Sequence, residues 1–230
     1  MKYIKSFFLV SLLSLFSNFS FARGEDWGNF GKYENENSKI GQNPPVVIFM
    51  GNSITEGWVK DHPEFFSSHN YAGRGISGQT TYQMLLRFRD DVINLKPEIV
   101  VINGGINDIA ENNHPYNEER TYGNIISMAQ LAQLNGIGVI LTSVLPADSI
   151  PWRGDRIKNV SEKVKSLNSR IKEYADSHGL IYVDYYSSMA NENGGLNKKF
   201  TKDGVHPTPA GYDVMETLIQ PAISEYQTSK

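Results

Sequence analysis

The chain has 230 residues, with 22 Lys+Arg against 25 Asp+Glu and a formal net charge of -3. That balance offers no general attraction to phosphate backbones or anionic lipid, which argues against a nucleic-acid-binding role. Apolar and aromatic fractions of 40% and 11% suit a chain that folds around a core, and the absence of cysteine excludes disulfides, thiolate metal sites, iron–sulfur clusters and a cysteine nucleophile.

The first residues read as an export signal. Lys2 and Lys5 give a basic start, an apolar stretch runs from Phe7 to Phe16, and Ser20-Phe21-Ala22 places small residues where signal peptidase reads them. Residues 1–22 are expected to be removed after Ala22, leaving 20 basic and 25 acidic side chains. The alternative is an uncleaved anchor, but the unbroken apolar run is shorter than the ~20 residues that span a bilayer. Export without cysteine points to a bacterial periplasmic or extracellular setting.

Residues 23–42 are polar with little apolar periodicity and read as an arm leading into a single domain, 43–230. Beyond Pro44-Pro45, Val46 to Met50 is a continuous apolar run of the kind buried on both faces of a parallel sheet. Ile99 to Ile102, Val139 to Leu141 and Leu180 to Val183 repeat the pattern, and a shorter strand is expected just before Ile76. Between them, Met84, Leu85, Phe88, Val92 and Leu95 share one helical face, as do Ile157, Val160, Val164, Leu167, Ile171 and Tyr174. A last helix starts with Thr208 as N-cap and Pro209 at its first position, turning Tyr212, Met215 and Leu218 or Ile219 inward. Strands alternating with helices predict a three-layer α/β/α sandwich around a parallel sheet, with ligands in the crevice beyond the strands' carboxyl ends.

Three polar motifs fall at that edge. The first strand runs into Gly51-Asn52-Ser53-Ile54-Thr55, where Ser53 is either a helix cap or a presented hydroxyl; the G-x-S-x-G elbow is absent because position 55 is Thr. The strand ending at Ile102 runs into Asn103-Gly104-Gly105-Ile106-Asn107-Asp108, a loop that either satisfies itself or lets the Asn107 amide donate to a ligand. Asp203-Gly204-Val205-His206-Pro207 sets a carboxylate three residues before a histidine: either a surface ion pair, or an acceptor for Nδ1–H that leaves Nε2 free as a base. His114 follows the Asn107 loop and is a candidate for the pocket's border.

Together with Gly73-Arg74-Gly75-Ile76-Ser77-Gly78-Gln79-Thr80-Thr81, these blocks resemble those of the SGNH, or GDSL-like, hydrolase superfamily of esterases and lipases, in the family's order and from about Val46 to Ile219. The resemblance implies a flavodoxin-like α/β/α fold with a five-stranded parallel sheet. It implies Ser53 as nucleophile, His206 as general base and Asp203 as the residue orienting His206. The backbone N–H of Ser53, the backbone N–H of Gly78 and the side-chain amide of Asn107 would form the oxyanion hole. One departure is Asn52, which stands where the name-giving motif has Asp; G-N-S-I-T also looks like the branch rich in carbohydrate esterases and acetylhydrolases.

The chemistry so implied is serine ester hydrolysis with no cofactor and no metal. Export, an acidic domain and no long apolar lid favour acetyl or other short acyl groups on a small molecule or polysaccharide. Nucleic acid is not an expected partner, nor is stable membrane insertion after signal removal. The loop Leu145 to Asp155 offers Trp152 to stack on a sugar and Arg153 to meet a carboxylate or hydroxyl. Lysophospholipase or thioesterase action is the alternative within the class. Outside it stand a non-catalytic carbohydrate-binding protein and a metal-dependent phosphoesterase using Asp108, Asp203 and His206.

Overall fold

The computed structural model describes residues 26–41 and 43–229. The expected signal peptide, residues 1–22, lies outside them. No helix among the described residues is long and apolar enough to cross a membrane.

In chain order the elements are α1 (Gly31–Ile40), β1 (Val47–Gly51), α2 (Ser53–Asp61), α3 (Pro63–Ser67), β2 (Tyr71–Gly75) and α4 (Thr81–Asp91). There follow β3 (Ile99–Ile102), α5 (Ile106–Ile109), α6 (Glu118–Leu134), β4 (Gly138–Thr142), α7 (Val160–Ser177), β5 (Ile181–Val183), α8 (Tyr185–Met189) and α9 (Pro209–Thr228). Short 3₁₀ turns lie at Ile93–Leu95 and Pro151–Arg156.

The five strands form one parallel sheet in the order β2-β1-β3-β4-β5. Helices α4, α6 and α7 pack on one face while α2 and α9 pack on the other, the three layers expected from the sequence. Coverage on both faces is why β1, β3 and β4 are buried at every position and read as unbroken apolar runs. Chain progression reverses between β1 and β3, and the crevice at that reversal is where open α/β sheets bind ligands.

Strand β2 carries the weakest apolar signal for a steric reason. A Cβ on Gly75 would lie 2.3 Å from the Glu56 backbone nitrogen and 2.5 Å from the Asn52 carbonyl oxygen, so α2 docks directly on the glycine backbone. The expected apolar faces are buried, Leu85 only in part, but two helices are shorter than their stripes. Helix α4 ends at Asp91, and Val92 and Leu95 enter the core from the turn that follows. Ile157 is buried in extended backbone before α7 begins at Val160. Thr208 takes the N-cap position of α9 without a capping hydrogen bond from its side chain, and Ile219, not Leu218, is fully buried.

The arm contains α1, held by polar contacts that a search for apolar periodicity does not register. Tyr33 Oη donates to the Gly75 carbonyl, Asn37 Nδ2 donates to Asp91 Oδ1 at 2.7 Å, and Arg74 Nε donates to Asn37 Oδ1 at 2.9 Å.

Candidate active site

Ser53 is the first residue of α2, at the carboxyl end of β1. Capping there is done by Asn52, whose Oδ1 accepts from the Ile54 N–H at 3.0 Å. The Ser53 hydroxyl is therefore not the cap. Its Oγ lies 2.9 Å from His206 Nε2, across 153 residues of sequence. The Asn52 cap gives the asparagine in the G-N-S motif a physical role, since its short side chain starts the helix that displays the serine.

His206 comes from a turn that its own neighbours rigidify. Asp203 Oδ2 accepts from His206 Nδ1 at 2.7 Å, and Oδ1 accepts from the backbone N–H groups of His206 at 2.8 Å and Val205 at 2.9 Å. Thr201 Oγ1 donates to the His206 carbonyl at 2.8 Å and accepts from the Gly204 N–H at 3.0 Å. Burial alone would raise the Asp203 carboxyl, but the hydrogen bonds from His206 and Val205 outweigh it and hold the pKa at about 2. An ionised Asp203 fixes the proton on Nδ1 and leaves Nε2 to accept from Ser53.

Gly78 lies in the loop between β2 and α4 with φ at +79°, a left-handed conformation that glycine adopts without a Cβ clash. Its N–H finds no acceptor among the described residues. The loop is tied down beside it, because Glu56 Oε2 accepts from Ser77 N at 2.7 Å and Ser77 Oγ at 2.6 Å. Asn107, 2% exposed, donates one Nδ2 hydrogen to the Gln79 carbonyl at 2.9 Å, leaving the other free. Its neighbour Asp108 is buried and accepts from Thr81 N at 2.9 Å and Thr81 Oγ1 at 2.6 Å, locking α5 to the start of α4. Burial pushes the Asp108 carboxyl up despite those bonds.

The three remaining candidates fall in different places. The Trp152 ring lies 5.8 Å from the His206 imidazole, tilted by 31° and 42% exposed. Arg153 instead braces the loop, donating to the Glu111 carbonyl at 2.9 Å and Asn112 Oδ1 at 3.2 Å. The His114 ring lies 4.1 Å from that of Tyr82, tilted by 52°, with Nε2 3.9 Å from Asp108 Oδ1. Asn112 was not singled out from the sequence, yet it joins the parts: its Nδ2 donates to the Gly78 carbonyl at 3.0 Å and its Oδ1 meets Trp152 Nε1 at 3.4 Å. Its position five residues beyond Asn107, just past α5, was the available signal.

Arg87 was also missed. It is fully buried, pairs with Asp91 at 2.7 Å, and donates to the carbonyls of Gly51 and Arg74 at 2.9 Å each and to Gln79 Oε1 at 2.6 Å. It thereby joins the ends of β1 and β2 to the loop bearing Gly78.

No metal-ligand set assembles from Asp108, Asp203 and His206, since Asp108 is committed to Thr81 while Asp203 and His206 are committed to each other. Elsewhere among the described residues His62, Asp213 and Glu216 come close enough to share an ion. There Glu216 Oε1 already accepts from Trp58 Nε1 at 2.9 Å and meets His62 Nδ1 at 2.7 Å.

A serine hydroxyl bonded to an imidazole that is bonded to a carboxylate, at the carboxyl edge of a parallel α/β/α sheet, is the arrangement of a hydrolase working by acyl transfer. Residues 49–214 match the GDSL-like lipase/acylhydrolase family, and the chain belongs to that family, as its motifs implied. A GDSL-like lipase from Bacteroides thetaiotaomicron VPI-5482 is 56% identical, with 87% of this chain and 99% of that one aligned at a TM-score of 0.84. An N-acylneuraminate cytidylyltransferase of Escherichia coli O18:K1:H7 is 26% identical over 175 residues, covering 75% of this chain and 39% of that protein. An acetylxylan esterase of Xylanibacter ruminicola is 26% identical over 220 residues, covering 77% and 42%. The chain thus spans about two fifths of the length of these two curated relatives.

Proposed function

We propose that this protein is an exported serine esterase that removes acetyl or other short acyl groups from carbohydrate. The hydrogen-bonded line from Ser53 Oγ through His206 to Asp203 carries the reading. His206 Nε2 takes the Ser53 proton as Oγ attacks the ester carbonyl. The resulting oxyanion is received by the N–H groups of Ser53 and Gly78 and the free amide hydrogen of Asn107. Collapse breaks the bond to the alcohol, which leaves with the proton held by His206. Water, deprotonated by the same nitrogen, then attacks the acyl-serine and releases the acid. The positive end of α2 at Ser53 favours the negative charge in both halves.

The short, polar-ester part of the reading is supported by Trp152 beside His206, by a site walled with asparagine, and by the acetylxylan esterase among the relatives. Residues 1–22 are taken as the signal peptide, 23–42 as the arm and 43–230 as a single hydrolase domain. The test is turnover of p-nitrophenyl acetate against p-nitrophenyl palmitate, with Ser53→Ala as the blank and EDTA in a parallel arm. Acetate turnover that is absent in Ser53→Ala and indifferent to EDTA is expected. Palmitate preference would move the substrate to lipid, and EDTA sensitivity would overturn the metal-free mechanism.

A further inference from the structure

The site has a second wall, contributed by the arm. Asp26, Trp27 and Asn29 face Ser77, Gly78, Asn112 and Asn113 across a cleft of about 590 Å³, within the ~300–1,000 Å³ range of small-molecule sites. The cleft shares Gly78 with the oxyanion-hole candidates and Asn112 with the Gly78–Trp152 contact, so it opens beside the catalytic centre.

Trp27 is 45% exposed, although indole is among the side chains that gain most from burial. Its backbone is nonetheless anchored. Gln83 Nε2 donates to the Trp27 carbonyl at 2.8 Å, Gln79 Nε2 donates to the Gly28 carbonyl at 2.9 Å, and Asp26 Oδ2 accepts from the Gly31 N–H at 3.3 Å. Gln83 Oε1 in turn accepts from Asn113 Nδ2 on the opposite wall. Two hydrogen bonds, from Gln79 and Gln83, thus hold in place a segment that presents an uncovered aromatic ring to the cleft, and the Asp26–Gly31 bond closes the turn within it.

The lining chemistry selects the occupant. Among the described residues no lysine or arginine lines the cleft, and Asp26 is its one charge, which disfavours phosphates, sulfates and uronic acids. Only Trp27 and Ile76 are apolar, too little to hold an acyl chain. Hydroxyl and amide groups from Ser77, Asn29, Asn112 and Asn113 suit a polyol, which can both donate and accept. The flat face of a pyranose, with C–H groups directed at an electron-rich ring, suits Trp27.

We propose that this cleft is a binding subsite for a neutral sugar of the alcohol moiety that bears the ester, with Trp27 as its stacking platform. The proposal rests on the carbohydrate-ester reading and extends it to a residue outside the family's motif blocks. Because the Trp27 contact to Gln83 is made by backbone, replacing the side chain leaves the arm's anchor intact.

The test uses the full chain carrying Ser53→Ala, so that ligand survives, titrated calorimetrically with acetylated xylotetraose, mannotetraose and cellotetraose. Adding Trp27→Ala is expected to weaken the best of the three about five- to tenfold, and Trp27→Phe to restore most of the loss, as an aromatic stacking contribution would. Leu134→Ala, at the opposite edge of the sheet and 83% exposed, controls for substitution in general and is expected to change nothing. Equal affinity with Trp27→Ala, or no binding of any tetrasaccharide, overturns the subsite. Turnover of p-nitrophenyl acetate by the wild-type chain is read beside it. Ser53-dependent turnover without Trp27-dependent binding refutes the subsite and keeps the esterase; Trp27-dependent binding without turnover does the reverse.

Discussion

Replacing Asp203 by asparagine tests the most constrained link in the site. Oδ1 accepts two backbone N–H groups, at 2.8 and 2.9 Å, while Oδ2 accepts His206 Nδ1 at 2.7 Å. In the variant the one remaining carbonyl oxygen stays with the two N–H groups, because turning the amide would set a donor against both. The new NH₂ group then faces Nδ1, and the imidazole avoids a donor–donor clash by carrying its proton on Nε2. That proton points at Ser53 Oγ, 2.9 Å away, and the base is lost while the shape of the site survives. A histidine held in the wrong tautomer costs on the order of 10⁴-fold in kcat, about 5 kcal/mol of transition-state stabilisation. The assay is kcat/KM on p-nitrophenyl acetate, with thermal melting by circular dichroism to verify the fold. The variant should also differ in acid. The wild-type carboxyl sits at about 2 against an ordinary 3.8. Its stabilising contribution is therefore complete above about pH 4 and lost as pH falls toward 2, whereas the amide of the variant has nothing to titrate. A folded Asp203→Asn protein within tenfold of wild-type turnover would refute the tautomer argument.

Asn107→Ala is expected to lower kcat by about 10²–10³-fold through loss of an oxyanion donor. Its melting temperature should also fall, because the buried Gln79 carbonyl loses its partner at a cost of about 1–3 kcal/mol; near-normal turnover in folded protein would remove Asn107 from the oxyanion hole. Arg87→Ala leaves buried Asp91 without its charge partner and takes a donor from the Gly51 and Arg74 carbonyls, so urea unfolding should show a loss of about 3–5 kcal/mol. An unchanged midpoint would mean that the buried ion pair does not hold the β1 and β2 ends together.

Much of this architecture was legible because burial on both sheet faces leaves a simple trace. Val47 to Met50 and Ile99 to Ile102 are apolar at every position since helices cover both sides of them. Ser53, Asn107 and His206 were legible for a different reason: each closes or follows a short Gly-containing block where the chain must bend, the first two at strand ends and His206 in the turn before α9. What escaped was held by polar contacts between distant segments. Helix α1 docks through Tyr33, Asn37 and Arg74, and no apolar stripe announces it. Helix α6, also unanticipated, buries Thr121, Ala129 and Ala132 beside Ile125 and Met128, small residues that dilute its amphipathic pattern. Arg87 lies in the α4 stripe beside Met84 and Phe88, and a charge in an apolar stripe gives no hint that it will bond two strand-end carbonyls. Ser53 could be read as a cap or as a presented hydroxyl until the structure gave the cap to Asn52.

The central claim is that Ser53 forms the covalent intermediate. It is tested most directly by intact-mass and peptide mass spectrometry after treatment with an aryl phosphonofluoridate. The account predicts one adduct per chain, located on Ser53, forming in step with loss of p-nitrophenyl acetate turnover and absent from Ser53→Ala. An adduct on another residue that tracks the loss of turnover, or full turnover in Ser53→Ala, would contradict it.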